Sequence, residues 1–182
     1  MSDANLTDVM IDIETMGINR DAAVIQIGAL VFDWQTGMMP PDIFREDVDL
    51  MSSIMAGGET DRLTTAWWRQ QEGLDQIDPK QIGVVLHALN KWLAQYPTIE
   101  RVWAKGPTFD LTVLEGYYDR LGIKRPWRYN QPRDTRTVIE LARTIGNWIE
   151  PTGVDPKHDA AEDCRRQCVQ LVSALKYIKI SG

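Results

Sequence analysis

Two carboxylates interrupt an otherwise apolar stretch near the start of the chain, VMIDIETMG at residues 9–17. In a β-strand, residues i and i+2 point to the same face, so Asp12 and Glu14 would project together from the end of such a strand. Adjacent carboxylates repel each other, and one of them takes up a proton unless a cation lies between them. A hard divalent cation with oxygen ligands would fill that role. The alternative, a charged outer face on an exposed edge strand, fits poorly with the apolar residues on either side.

Two further segments carry residues that could complete a metal site. Asp110 follows the apolar segment RVWA and stands at the opening of a predicted helix, and ligands of α/β sheets gather at such strand-to-helix junctions. The segment HDAAEDC holds His158 and Asp163, which differ by about 140° around a regular helix. They can share one site only if His158 lies in the loop or first turn. Taken singly, Asp110 could merely stabilise a helix N-terminus, and the other two could be solvated surface residues.

The charge of the chain is unevenly distributed. The 182 residues carry a formal net charge of −6, which argues against a general nucleic-acid-binding surface because phosphate neutralisation needs Lys and Arg. Residues 124–136, KRPWRYNQPRDTR, nevertheless hold five basic residues against one acid. This segment is a candidate phosphate-binding track. Arg133 and Arg136 within it could instead pair with local carboxylates.

Several features predict a cytoplasmic protein with no membrane contact. The chain has no run of about 18 apolar residues. The N-terminal MSDANLTD has no basic region leading into an apolar one, so it does not resemble a secretory signal. Cys164 and Cys168 are four residues apart, which is unfavourable for a disulfide within one helix, and they lack the partners of a zinc site. We interpret them as reduced packing residues.

The elements that must position these residues follow from hydrophobic periodicity and turn signals. No Pro/Gly/Ser-rich linker divides the chain, so we expect one domain over residues 1–182. Three consecutive strands joined by short turns predict an antiparallel opening, and the strand–helix alternation that follows predicts an α/β fold with a mixed sheet flanked by helices. The predicted strands are residues 8–15, 22–33, 42–50 and the segment RVWAKG; the predicted helices are residues 61–71 with Thr64 or Thr65 near the start, 79–96, 107–122 ending at Gly122, 133–146 and 158–178.

The motifs occur in an order that resembles one known family. DIET, GPTFD and HDAAED stand in the order of the three motifs of the DEDDh, or DnaQ-like, superfamily of 3′→5′ exonucleases: Asp-x-Glu in a strand, an Asp after a small polar stretch, and His-x(4)-Asp. Each motif alone is weak, but the ordered set is specific and spans about residues 9–175. VIQIGALVFD, TTAWWRQQ, VWAKGPTFD and PWRYNQPRDTRT further resemble the small exoribonuclease group related to phage-type exonuclease A. The resemblance implies a ribonuclease H-like fold, in which three antiparallel strands precede parallel strands.

The resemblance also implies a mechanism. Asp12 would bridge two ions, Mg²⁺ or Mn²⁺; Glu14 and Asp163 would complete one site, and Asp110 would hold the second ion, partly through water. Two divalent ions supply the positive field that an acidic protein needs to bind a phosphodiester, and they stabilise an in-line displacement. His158 would act as the general base. The expected products are nucleoside 5′-monophosphates.

An exonuclease also needs a site for the free 3′ end. Thr15, Met16 and Gly17 would lie beside the ions, where glycine allows close approach of a nucleotide and the Met16 side chain could wedge against a base. Adjacent helical residues do not share a face. One of Trp67 and Trp68 could therefore pack in the core while the other stacks on a base; alternatively, both are packing residues.

These observations favour one function over two alternatives. The predicted function is two-metal-dependent 3′→5′ hydrolysis of single-stranded RNA or DNA, or of 3′ overhangs. A non-catalytic nucleic-acid-binding or partner-binding module on a nuclease scaffold is the main alternative, and a two-metal phosphatase is the other. RNA and DNA would be distinguished through the 2′-OH, and no residue in the sequence identifies itself as that contact. The resemblance alone suggests a homodimer.

Overall fold

A five-stranded mixed sheet forms the centre of the computed structural model, which describes residues 6–71, 76–151 and 158–181. In chain order the elements are β1 (Asp8–Thr15), β2 (Val24–Phe32), β3 (Phe44–Asp47), α1 (Leu50–Met55), α2 (Arg62–Trp68), α3 (Ile82–Leu93), β4 (Arg101–Ala104), α4 (Asp110–Arg120), β5 (Pro132–Asp134), α5 (Thr135–Ile145) and α6 (Ala160–Ser181). The sheet order is β3-β2-β1-β4-β5, with the first three strands antiparallel and β4 and β5 parallel to β1. This is the mixed α/β sheet predicted from the sequence.

The first strand is central, and its two faces contact different helices. The odd-numbered apolar residues of β1 point into a core built with α3 and α4, whereas Met10 packs with α6. Asp12 and Glu14 share the Met10 face because side chains alternate along a strand. The strand predicted for residues 8–15 is confirmed at both ends, and its register brings the two acids to the side that α6 covers.

Burial of apolar faces holds the helices on the sheet. α3 buries six apolar residues at helical spacing against one face, and α6 packs Cys164 and Cys168 against the other, both free and fully buried as predicted. α4 is followed by Gly122 at a φ of 64°, the left-handed conformation that favours glycine after a helix. Among the helices in the described ranges, none is long and apolar enough to cross a membrane.

The structure differs from the prediction at the shortest elements. The third strand is confined to Phe44–Asp47 instead of residues 42–50. It stops there because Asp49 caps α1, accepting a hydrogen bond from the Ser52 N–H at 2.7 Å. Neither α1 nor β5 is predicted, since six and three residues are too short to show a periodic pattern.

The start of α2 is capped by a residue that the sequence analysis did not single out. Asp61 is the N-cap, and its carboxylate accepts from the Thr64 N–H at 2.8 Å, so Thr64 and Thr65 lie inside the first turn. The Asp61 N–H in turn donates to the Met16 carbonyl at 2.7 Å. This bond ties the start of α2 to the segment that follows β1.

Gly28 of β2 lies directly against the start of α6. A Cβ at this position would lie 2.3 Å from the Ala160 carbonyl carbon and 2.6 Å from the Ala161 nitrogen, and backbone atoms cannot turn aside. Gly28→Ala is therefore expected to lower the free energy of unfolding by at least about 1–3 kcal/mol, measured by urea denaturation. Gly83→Ala is the matched control: Gly83 lies in α3 with its nearest neighbour 3.8 Å away, and the change should stabilise by about 0.4–1 kcal/mol. Unchanged stability of Gly28→Ala would contradict the close packing of α6 on β2.

Candidate active site

Three carboxylates converge at the end of β1. Asp12 and Glu14 come from the strand and Asp163 from the first turn of α6, and one oxygen of each lies within 4.8 Å of the others. The strand supplies two acids on one face because their spacing is two, and the helix supplies the third because α6 packs on that face. The structure thus brings together three of the four acids selected from the sequence.

Asp110 lies beside this group, at the start of α4. The turn before it contains Gly106 at a φ of 110°, whose carbonyl accepts from the Phe109 N–H at 2.8 Å. The backbone N–H groups of Asp110 and Ile13 lower the pKa of the Asp110 carboxyl, which places this side chain next to β1. Its charge reaches both acids of the strand, since it raises the pKa of Asp12 and of Glu14. Asp110 is therefore a neighbour of the three-carboxylate group and not a member of it.

Burial raises the pKa values of Asp12, Glu14 and Asp110, and neighbouring carboxylate charges add to this rise for Asp12 and Glu14. Burial, followed by the charges of Asp110 and Glu14, raises the pKa of Asp12 well above its usual range. Burial, followed by the charge of Asp163, raises the pKa of Glu14 to about 8. Burial raises the pKa of Asp110 to about 7, although the backbone N–H groups of Asp110 and Ile13 and the charge of Arg136 oppose this rise. Without a cation, burial thus favours the protonated forms of these carboxyls.

The raised pKa values predict a pH-dependent response to divalent cations. Protonated Glu14 stabilises the metal-free fold, and this contribution is lost as the pH rises from the ordinary value of 4.5 through the folded value of about 8. Cations need deprotonated carboxylates, so Mn²⁺ should raise the thermal midpoint more at about pH 8.5 than at about pH 6. Differential scanning fluorimetry of the metal-free and Mn²⁺-saturated protein measures this difference. Equal Mn²⁺-induced shifts at the two pH values would show that these carboxyls do not bind the ion.

Polar contacts from β2 and β3 fix the start of α6. Gln26 is buried, and its Oε1 accepts from the Ala160 N–H at 2.6 Å. Asp159 accepts from two N–H groups of the first turn, and its other oxygen pairs with the Arg45 Nε at 2.7 Å. His158 stands just before this cap, at a φ of 50° that is uncommon for a residue with a side chain. His158 lies outside α6, as its five-residue spacing from Asp163 requires.

Two tryptophans surround the His158 ring. The ring contacts Trp67 edge-to-face with centroids 4.5 Å apart, and Trp68 with centroids 5.8 Å apart. The Trp68 indole is 6% exposed and donates to the Thr15 carbonyl at 2.8 Å, whereas Trp67 is 38% exposed. One tryptophan is therefore a packing residue and the other faces solvent, which is the division that helix geometry predicts. Through Trp68, His158 is held at the end of β1.

A cavity of about 540 Å³ opens between the end of β1 and α2. It joins the carboxylate edge to the tryptophans, and its rim carries two apolar side chains, Ile18 and Leu63, each 77% exposed. Such a mixture of apolar walls and one charged edge suits a nucleoside attached to a phosphate. The lining residues are Ile13, Glu14, Thr15, Gly17, Ile18, Asp61, Leu63, Thr64, Trp67, Trp68 and Phe109.

The segment after β1 contributes to this cavity differently from the prediction. Met16 does not line it, so the predicted wedge against a base is not supported; the Met16 backbone instead bonds to Ala23 and Asp61. Gly17 does line the cavity, but a Cβ on it would lie 3.0 Å from the Glu59 carbonyl oxygen. Glycine is needed here for packing within the protein as well as for space in the cavity.

The two arginines selected from the basic segment lie in different surroundings. Arg133 is exposed and donates to two backbone carbonyls of its own loop at 2.8 Å each. The Arg136 guanidinium covers Gly106, and its charge lowers the pKa of Asp110. Neither arginine forms an ion pair with a carboxylate of the described residues, so the structure gives no support to the alternative of local pairing. Only Arg136 is close to the acids.

Two residues of α6 reach the acidic group although the sequence analysis did not select them. Gln167 is buried, and its Nε2 donates to the Asp12 Oδ1 at 2.7 Å. Arg166 Nη2 pairs with the Asp163 Oδ2 at 2.9 Å. Gln167 lies four residues after Asp163 and hence on the same helical face, and this spacing is the signal that could have identified it.

The chemistry of the donor set fits a hard divalent cation. All ligand atoms of the three-residue group are carboxylate oxygens, which suit Mg²⁺, Mn²⁺ and Ca²⁺ better than softer metals. The raised pKa values of Asp12 and Glu14 supply a second reason. A divalent ion would offset both the burial of these carboxylates and their mutual repulsion.

Comparison with known proteins gives matches over nearly the whole chain. Residues 7–175 match the family described as the 3′-5′ exoribonuclease Rv2179c-like domain. The chain is also 26% identical over 212 aligned residues to an exodeoxyribonuclease of Enterobacteria phage T4, with 93% of this chain and 89% of the phage protein covered.

Solved structures share the fold at low sequence identity. The nuclease domain of 3′hExo, a DEDDh family member bound to rAMP, superposes with a TM-score of 0.62 at 12% identity and covers 93% of this chain and 91% of that one. Cell-death related nuclease 4 superposes with a TM-score of 0.67 at 16% identity; 93% of this chain is covered, but this chain spans only 63% of that one. The predicted ribonuclease H-like fold is confirmed.

The fold, the acidic site and the family match together define a nuclease. The chain belongs to the family of 3′-5′ exoribonuclease Rv2179c-like domains, and it is an exonuclease.

Proposed function

We propose that the protein hydrolyses single-stranded RNA or DNA, including 3′ overhangs, from the 3′ end and releases nucleoside 5′-monophosphates. The observation that carries this proposal is the convergence of Asp12, Glu14 and Asp163 within 4.8 Å, with Asp110 beside them. Two ions, Mg²⁺ or Mn²⁺, fit this arrangement, one held by Asp12, Glu14 and Asp163 and the other by Asp12 and Asp110. Four clustered acids, three of them with raised pKa values, have little structural purpose unless cations bind them.

The bound ions would lower the pKa of a water molecule and stabilise the charge of an in-line displacement. The side chains of the protein supply the remaining functions. His158 accepts the proton of the attacking water as general base, and the edge-to-face contact with Trp67 holds its ring. Gln167 fixes the orientation of the Asp12 carboxylate through its 2.7 Å hydrogen bond.

The 3′-terminal nucleoside would occupy the cavity between β1 and α2. The exposed face of Trp67 is available for stacking on a base, and Ile18 and Leu63 offer apolar contacts at the rim. Thr15 and Gly17 line the cavity beside Glu14, so a nucleoside bound there would have its phosphate next to the carboxylates.

Two names among the similar proteins point to different sugars, since the family is described as exoribonuclease and the phage relative as exodeoxyribonuclease.

The proposed function is tested by parallel digestion of matched 5′-labelled RNA and DNA oligonucleotides, single-stranded or with a 3′ overhang, in Mg²⁺ and in Mn²⁺. The expected result is a ladder that shortens from the 3′ end on at least one sugar. Failure of folded protein on both sugars with both metals would refute the proposal. A homodimer and a cytoplasmic location stay predictions from the sequence.

A further inference from the structure

Lys105 directly follows β4 and lies near the acidic group. Neither the motifs nor the charged segments of the sequence indicated a role for it. It is half-buried, directly before the turn that leads to Asp110. Burial, followed by the charges of Arg166 and Arg136, lowers the pKa of Lys105, while Glu150 and Asp163 act in the opposite direction. Lys105 is thus within electrostatic reach of two arginines and of Asp163.

The geometry of the turn brings two of these cations together. A Cβ on Gly106 would lie 2.9 Å from the Arg136 Nη1 and 3.2 Å from its Cζ. The Arg136 guanidinium thus covers the glycine that directly follows Lys105. Gly106 has no side chain to separate the two charges, and its φ of 110° is favourable for glycine alone.

These charges are only partly neutralised by the protein. Arg166 pairs with Asp163, but its Nε is buried without an acceptor in the described part of the chain. Glu150 is engaged by Arg143. Within the described ranges, Lys105 and Arg136 form no ion pair, so both remain available to an anion. Like charges held close together without partners favour an anionic ligand.

The position of the cluster along the sheet selects the part of the substrate that it would meet. Lys105 directly follows β4 and Arg136 lies in the first turn of α5, which directly follows β5, so both lie on the β4–β5 side of β1. The cavity assigned to the terminal nucleoside lies instead between β1 and α2. A strand whose 3′ end occupies that cavity and whose last phosphodiester lies at the carboxylates must continue past them, and the β4–β5 side offers cations along that path.

We infer that Lys105, together with Arg136, binds the phosphates on the 5′ side of the scissile bond and thereby makes the enzyme favour oligonucleotides over substrates with a single phosphate. This inference rests on the proposed function. Lys105 would then be a further substrate-positioning residue. Phosphate contacts on the β4–β5 side would bind the oligonucleotide independently of its base sequence.

Two substrates separate this inference from the proposed function. The p-nitrophenyl ester of thymidine 5′-monophosphate carries a terminal nucleoside and a scissile phosphate but no further phosphate; a single-stranded oligonucleotide of about ten residues carries the upstream phosphates as well. For Lys105→Ala we expect kcat/KM on the oligonucleotide to fall about tenfold, with the ester hydrolysed at the wild-type rate. The slope of log kcat/KM against log salt should also fall by about 0.7. Lys105→Arg should restore most of the oligonucleotide activity.

Two control variants make the result decisive. Lys91→Ala removes the same charge from an exposed position on α3 and should change neither substrate's kcat/KM. Glu150→Gln tests whether Lys105 acts only through its acidic neighbour Glu150. This variant should not show the tenfold loss of kcat/KM on the oligonucleotide. Equal loss on both substrates, or no loss on the oligonucleotide, would overturn the inference for Lys105 whether or not the fold is intact by thermal denaturation. Inactivity of the wild-type enzyme on both substrates would instead refute the proposed function.

Discussion

Asp12→Asn is expected to lower the hydrolysis rate by at least about 1,000-fold, because loss of one stabilising group at a developing charge already costs about 10²–10³. Asp12 is the acid that both proposed ions share, so its charge cannot be supplied by another residue. The substitution keeps the shape of the side chain, and the carbonyl oxygen of the introduced amide can still accept the hydrogen bond from Gln167. The readout is kcat on a 5′-labelled oligonucleotide in Mn²⁺.

The same variant should make the metal-free protein more stable. Burial and the neighbouring acids raise the pKa of Asp12 well above its usual range, so its ionised form destabilises the folded state at alkaline pH. A neutral amide removes that repulsion, and each kcal/mol gained should raise the thermal midpoint by about 2–4 °C. Mn²⁺ should then stabilise the variant much less than the wild type.

Asp119→Asn serves as the matched control for this prediction. Asp119 is exposed on α4, outside the acidic group, and its substitution should leave both kcat and the thermal midpoint unchanged. An Asp12→Asn variant that cleaves at the wild-type rate would show that the carboxylates do not hold the catalytic ions. A variant that loses activity together with stability would indicate a structural role instead.

His158→Ala is expected to lower kcat by about 10²–10⁴, the usual contribution of a general base. The loss should appear equally on an oligonucleotide and on the p-nitrophenyl ester, because both reactions need the same water to be deprotonated. Calorimetric titration should show unchanged Mn²⁺ binding, since His158 is not among the three residues whose ligand atoms converge. Loss of activity with retained metal binding would separate the base from the ligands.

The second histidine provides the control for His158. His87 is exposed on α3, outside the group of acids, and His87→Ala should keep wild-type kcat and stability. Because His158 also contacts Trp67, the thermal midpoint of His158→Ala must be recorded alongside its rate. A His158→Ala enzyme within about threefold of wild type would be incompatible with a general base, whose contribution is much larger.

Local rules predicted the parts of the site that depend on short-range geometry. Spacing of two in a strand was sufficient to place Asp12 and Glu14 on one face, and the five-residue spacing required His158 to precede the helix that carries Asp163. Adjacency on a helix predicted that Trp67 and Trp68 would face different surroundings.

The remainder depended on contacts between distant segments. The bond from Gln167 to Asp12 joins residues 155 positions apart, and the packing of α6 on Gly28 determines its register. Lys105 gained its significance only when the fold brought the Arg136 guanidinium over Gly106, the next residue in the chain. The wedge predicted for Met16 is not supported by the lining of the cavity, and both backbone groups of Met16 are engaged by neighbouring segments, a pairing that strand periodicity does not encode.

The most direct test of the central claim is identification of the first product in H₂¹⁸O. A single-stranded oligonucleotide with a unique 3′-terminal nucleoside is incubated with the enzyme in Mn²⁺, and the released products are analysed by mass spectrometry. The structure predicts that the unique nucleoside appears first, as its 5′-monophosphate with one ¹⁸O in the phosphate, and that EDTA abolishes its release. Internal fragments, nucleoside 3′-phosphates, or nucleic-acid binding without any cleavage would contradict the assignment of the Asp12, Glu14, Asp110 and Asp163 site to 3′→5′ hydrolysis.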